Sequence, residues 1–146
     1  MKKIILSIFT SIILSVTSFS AFAKTEVVWW DLLGGGDGVR MASLIEAFER
    51  DNPDIDIVNS TLEWGPPYYA KLQTSAAIGE QPDIAIYHIS RYQMAKGTNI
   101  FSPISVDELA SVGVTADQYY EPIWNKAKAD DDGYLFGLPL DNPLYV

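Results

Sequence analysis

The chain of 146 residues contains no cysteine, a single histidine and only ten basic side chains against nineteen acidic ones. Each scarcity removes a class of function. Without thiols there is no disulfide framework and no thiolate to attack a substrate or bind zinc, and a lipidated cysteine is not expected as an anchor. With His88 as the lone imidazole, a zinc cluster would have to be rich in carboxylates, and a Ser-His-Asp triad has no nucleophile elbow to support it. A single histidine at a strand end is more often a hydrogen-bonding rim or core residue. The net charge of −9 leaves too few cations to displace counterions from a phosphate backbone, so nucleic acid is not an expected partner.

Long apolar runs are also missing, except at the amino end. There Lys2 and Lys3 precede an apolar stretch from Ile4 to Val16, and Ala21-Phe22-Ala23 follows as a small-residue cleavage site. The stretch is shorter than the ~20 residues that span a bilayer, and the order of its parts is that of a secretory signal. Cleavage after Ala23 is expected, leaving a soluble periplasmic product that begins at Lys24. What remains is long enough for one domain with its own core.

That domain reads as α/β, a three-layer open sheet of mostly parallel strands. A buried strand covers Glu26 to Leu32, and Asp37 is placed to cap a helix reaching Asp51, with Met41, Leu44, Ile45 and Phe48 at helical spacing. Asn52-Pro53 stops it. A second strand runs from Ile55 to Leu62, a second helix from Pro67 to Ile78 ends at Gly79, and a third strand runs from Pro82 to Ile89. Pro53-Asp54-Ile55 recurs as Pro82-Asp83-Ile84, an interval of one βαβ unit, so the three strands are expected to be parallel with right-handed crossovers. Further on, helices are expected over Tyr92 to Lys96, Val106 to Ser111 and Ala116 to Ala129. The run Asp130-Asp131-Asp132-Gly133 reads as a solvated turn, without the ligand spacing of a calcium loop, leading into a strand from Tyr134 to Leu140.

Parallel strands put their carboxyl ends on one rim, where ligands of open α/β sheets bind. The first strand brings Trp30, Asp31 and the loop Gly34 to Gly38 to this rim. The second brings Glu63 and Trp64, followed by Tyr68 and Tyr69, and the third Tyr87, His88, Ser90 and Arg91. Aromatic faces beside carboxylates, a hydroxyl and a guanidinium suit a sugar, whose C–H faces stack on rings while its hydroxyls pair with polar groups. The plainer alternative is that the rings only cap the sheet. The glycine loop is neither a dinucleotide fingerprint, because Val39 stands in the third glycine's place, nor a phosphate loop, because no Gly-Lys-Ser/Thr follows. Its glycines instead suit close approach of backbone to ligand. Paired carboxylates for glycoside hydrolysis, drawn from Asp31, Glu63 and Asp141, stay open at this point.

Trp30-Asp31 with Gly35-Gly36-Asp37-Gly38, the helix end Phe48-Glu49-Arg50-Asp51-Asn52-Pro53-Asp54-Ile55, and Gly79-Glu80-Gln81-Pro82-Asp83-Ile84 ahead of Tyr87 and Arg91 together resemble the family 1 extracellular solute-binding proteins of carbohydrate ABC importers. Gly133-Tyr134 and Gly137-Leu138-Pro139-Leu140-Asp141 continue the likeness, which spans Lys24 to Val146. It implies the first lobe of a periplasmic-binding-protein type II-like clamshell, with residues 24–140 as the amino-terminal lobe. Residues 141–146 would begin the hinge crossing, with the second lobe missing from this sequence. It implies a carbohydrate ligand held by Trp30, Gly35, Gly36, Asp37, Glu63, Trp64, Tyr68, Tyr87, Ser90 and Arg91, with Asp141 and Asn142 on the hinge side. It also implies binding without catalysis, no cofactor or metal, and delivery to the importer's permease in the inner membrane. A secreted carbohydrate-active enzyme, or its binding module, is the alternative.

Overall fold

Two aliphatic-rich strands flank a third that carries two tryptophans, and this apolar ribbon organises the molecule. The computed structural model describes residues 23–95, 97–129 and 133–140. The expected signal segment up to Phe22, Lys96, Asp130 to Asp132 with their expected turn, and residues 141–146 with the expected hinge contacts Asp141 and Asn142 lie outside the described residues. Strand β1 (Thr25–Asp31) lies in the middle of a three-stranded sheet in the order β2-β1-β3, and both neighbours, β2 (Ile55–Thr61) and β3 (Ile84–Ala85), run parallel to it. The expected parallel βαβ arrangement is therefore present. Thr25 pairs with Ile55 at one end of the β1–β2 ladder and Asp31 with Thr61 at the other.

The repeated Pro-Asp-Ile motif docks on β1 from both sides, by two different devices. In the first copy the backbone carbonyl of Asp54 accepts from the Thr25 amide at 2.7 Å. In the second, the Asp83 carboxylate accepts from the Val28 amide at 2.8 Å, standing in for a rung of the ladder. This is one reason β3 is a two-residue ladder rather than the full run from Pro82 to Ile89. Proline lacks an amide to offer before it, and beyond Ala85 the chain continues only through the Ile86 amide, which donates to the Trp30 carbonyl at 3.0 Å.

Helix α1 spans Gly35–Asp51 and starts three residues earlier than an Asp37 cap predicts. Gly34 occupies the cap position without a side chain to bond the first turn, and Asp37 sits inside the helix, paired with Arg40 at 3.0 Å. Near the far end of α1, Glu49 accepts from the Ile57 amide at 2.7 Å and so covers a donor of the edge strand β2. Helix α2 (Pro66–Ile78) ends as expected at Gly79, whose φ of 75° is the left-handed conformation that suits glycine.

A 3-10 turn at Ile89–Arg91 leads into a short helix α3 (Tyr92–Ala95). Strand β4 (Ile104–Ser105), which the sequence does not announce, pairs antiparallel with β5 (Tyr134–Leu135) in a separate small sheet. Ser105 then caps helix α4 (Val106–Ser111), with Glu108 bonding back to the Ser105 amide in a reciprocal capping box. The expected helix from Ala116 to Ala129 is two pieces, a 3-10 turn at Ala116–Gln118 and helix α5 (Glu121–Ala127). Pro122 explains the break, because its ring would collide with the carbonyl of the preceding turn in a continuous helix.

Two buried clusters result. Tyr68, Tyr69 and Leu72 of α2 form one, against Trp30, Leu32 and Leu62. Tyr92, Leu109, Trp124, Ala127 and Leu135 form the other, against Phe101, Val106 and Tyr119. Tyr87 packs on both, 5.2 Å from the Tyr69 ring and 5.9 Å from that of Tyr92, so one aromatic side chain joins the halves. Among the described residues no helix is long and apolar enough to cross a membrane.

Candidate functional site

At the carboxyl end of β1 the backbone is tied down before any ligand is considered. Trp30 offers its carbonyl to the Ile86 amide and, at 3.3 Å, to the Tyr68 hydroxyl, which also donates to the Ile86 carbonyl at 2.6 Å. The Tyr68 phenol thus bridges the ends of β1 and β3. It is fully buried, and desolvation pushes its ionisation well above the ordinary tyrosine range, with the neighbouring Tyr69 and Asp31 adding to the shift. Asp31 is 1% exposed; its carboxylate accepts from the Leu33 amide at 3.1 Å and from the Asn59 side chain at 2.9 Å. The Trp30 ring packs on the Tyr68 cluster, and the Lys71 ammonium lies 4.3 Å from its centroid. Trp30 and Tyr68 therefore form the floor of the rim.

Above that floor stands a second set of side chains. Trp64 is 66% exposed, and its indole N–H donates to His88 Nε2 at 3.2 Å, the two rings meeting edge to face. The other imidazole nitrogen, Nδ1, shares a short hydrogen bond with the Tyr69 hydroxyl. Arg91 places its guanidinium 4.1 Å over the Tyr69 ring, a cation–π contact. Burial raises the ionisation of Tyr69 and Tyr87 above the ordinary value, while the positive charge of Arg91 pulls each partly back. Strand ends and the first turn of α2 thus bring Trp64, His88, Tyr69, Tyr87 and Arg91 into one continuous group.

Glu63 and Ser90 are exposed. Gly35 and Gly36 have open space where a side chain would project, and Asp37 is an exposed surface residue held by Arg40. The glycine loop has an internal duty as well, since a methyl group on Gly38 would collide with the Leu33 carbonyl oxygen. Asp141 and Asn142 lie outside the described residues. Reading the sequence brought His88 and Tyr69 to the rim but did not count them among the ligand contacts, and it missed Lys71. The one available signal for His88 was its place two residues ahead of Ser90 at a strand end, next to Tyr87.

The Asp31 carboxylate is buried and accepts from Leu33 and Asn59, and the two His88 nitrogens are engaged by the Trp64 indole and the Tyr69 phenol. Among the described residues no group of three or more His, Cys, Asp and Glu side chains could hold a metal ion.

No protein-family model matches the chain, and no curated protein matches it in sequence. Solved structures do. The galacto-N-biose-/lacto-N-biose I-binding protein of the ABC transporter from Bifidobacterium longum, in complex with lacto-N-biose, aligns with 80% of this chain at a TM-score of 0.65 and 15% identity. CpMnBP1 with mannotriose bound aligns with 80% at a TM-score of 0.60 and 21% identity. An ABC substrate-binding protein from Listeria monocytogenes, in complex with cycloalternan, aligns with 77% at a TM-score of 0.51 and 23% identity. The chain covers 28% of the length of each. The chain shares with part of each of these proteins its fold, an α/β unit built on a parallel sheet.

Proposed function

We propose that this chain is the amino-terminal, sugar-binding lobe of an exported receptor that hands a carbohydrate to the permease of an ABC importer in the inner membrane. The observation that carries the reading is the rim. An exposed Trp64 is linked through His88 and Tyr69 to an Arg91 guanidinium that makes no ion pair among the described residues, beyond the carboxyl ends of parallel strands. A sugar ring laid on Trp64 would bury its C–H face, and Arg91 would donate charged hydrogen bonds to its oxygens. In this reading Glu63, Ser90 and Asp37 would add polar contacts, Gly35 and Gly36, with open space beside them, would allow a close approach, and Asp141 and Asn142 would complete the contact set on the hinge side. Trp30, Tyr68 and Tyr87 support the surface from below. No cofactor or metal enters this function. The secretory signal, cut after Ala23, would deliver the receptor to the periplasm, and the lack of cysteine fits a receptor without a lipid anchor.

Calorimetric or NMR titration with mannotriose and lacto-N-biose tests the reading. Arg91→Ala is expected to weaken binding by roughly 1.5–3 kcal/mol, the worth of hydrogen bonds to a charged group, and Trp64→Ala by about 1 kcal/mol through lost stacking. Unchanged affinity in both variants would move the site elsewhere. Release of reducing ends from an oligosaccharide by the purified protein would favour an enzyme instead.

A further inference from the structure

We propose that His88 is a positioning residue, a neutral imidazole protonated on Nδ1 that fixes the Trp64 indole as the stacking platform of the rim and releases it on gaining a second proton. The inference rests on the sugar-binding reading of that rim.

The tautomer follows from the partners. An indole N–H can only donate, so His88 Nε2, 3.2 Å away, must accept and carries no hydrogen. A neutral imidazole then bears its proton on Nδ1, which faces the hydroxyl oxygen of Tyr69. Tyr69 is a rigid post, buried in the cluster with Tyr68 and Leu72, its ring packed on Tyr87 and covered by Arg91. Trp64, by contrast, is mostly exposed in the loop between β2 and α2, and the bond to His88 is the one hydrogen bond of its indole among the described residues. His88 is therefore the link between a fixed phenol and an otherwise loose indole.

Protonation reverses the link. A doubly protonated imidazole presents N–H to the indole N–H, and two donors repel where a donor met an acceptor. The side chains in contact with His88 are Tyr69 from α2 and Trp64 from the preceding loop, with Tyr87 and Arg91 packed on the Tyr69 ring and Glu63 next to Trp64 in the chain. Tyr69 and Tyr87 stay neutral throughout the range in which an imidazole titrates, since burial raises both. Arg91 stays charged. His88 is the only histidine, so its signals are unambiguous.

The test uses the whole chain. Long-range proton–nitrogen NMR of the imidazole at neutral pH is expected to show a protonated Nδ1 and a bare Nε2. On acidification the indole N–H signal of Trp64, identified by its absence in Trp64→Phe, should move with the same midpoint as the imidazole. A proton on Nε2, or a Trp64 signal indifferent to the titration, overturns the proposal. His88→Gln, which keeps an amide able to accept from the indole, should retain the neutral-pH Trp64 signal and flatten the acid response; a persisting response refutes it. His88→Phe, which keeps a flat ring but no acceptor, is expected to weaken mannotriose binding roughly threefold to tenfold, the range of one lost hydrogen bond. Equal binding by His88→Phe and the unaltered chain would sink the platform role and leave the sugar reading standing. If the expected tautomer and coupled titration are found but neither mannotriose nor lacto-N-biose binds, the sugar reading falls, and only the His88–Trp64 link survives.

Discussion

Asp31 and Tyr68 show how single side chains at the end of β1 set the rim in place. Asp31→Ala would remove the charged acceptor of the half-buried Leu33 amide and of the exposed Asn59 side chain, a loss of about 1–3 kcal/mol of stability. Urea unfolding followed by tryptophan fluorescence would measure it, and a midpoint unchanged from the parent would contradict the assigned role. The phenols make a second prediction, about alkali. Tyr68 and Tyr92 both have ionisation raised from the ordinary value of 10.0, mainly by burial. Below that value folded and unfolded chains both keep these protons, and the full contribution is present. Above it the unfolded chain ionises first, so stability falls as pH rises towards the folded-state values, by up to about 1.4 kcal/mol per pH unit for each group. Unfolding curves at pH 8, 10 and 11 should show the decline, and Tyr92→Phe should make it shallower.

Among the elements, the glycines separate structural from ligand-directed duty. Gly79→Ala places a side chain at a φ of 75° and is expected to cost about 1 kcal/mol. Gly38→Ala forces a methyl group into the Leu33 carbonyl and is expected to cost about 1–3 kcal/mol, whereas Gly36→Ala meets nothing within 4 Å and should leave the unfolding midpoint in place. Thermal melts of the three variants check the order. The sequence made the parallel sheet legible because Pro-Asp-Ile occurs twice and because helical spacing and Gly79 mark α1 and α2. It misplaced the start of α1, because Asp37 is a good cap residue and a bare Gly34 is not, yet the close passage of Gly38 over Leu33 decides where the helix begins. Two-residue strands such as β4 carry no periodicity to read. The rim residues were legible one by one as strand ends. The bond between His88 and Tyr69 was not, since it spans 19 residues and depends on how the first turn of α2 sits against the end of β3.

For the whole molecule, apolar surface and negative charge oppose one another. Helix α1 buries no residue fully; Val39 and Leu44 are 70% and 62% exposed, and Ile78, Ile84 and Leu140 are open as well. That much apolar surface favours self-association, while a net charge of −9 on each copy resists it. Added salt screens the charge and leaves the apolar attraction, so sedimentation velocity should find the mean mass rising as sodium chloride is raised from about 0.01 M to about 0.5 M. A mass that falls with salt would show that ionic contacts dominate instead.

The central position of β1 also governs the time course of chain collapse. It is made first, yet its two flanks are completed by partners far along the polypeptide: Trp29 waits for Asn59, 30 residues on, and Val28 for Asp83, 55 residues on. A newly made chain must therefore hold Val27 to Trp30 unpaired on one side until the second Pro-Asp-Ile copy is available. Closing such loops precedes any reward from the contacts they allow, which slows parallel sheets and leaves a sticky intermediate in the meantime. The vulnerable interval ends when Asp83 reaches the Val28 amide, so a chaperone that grips extended apolar segments has its natural moment of engagement before that bond forms.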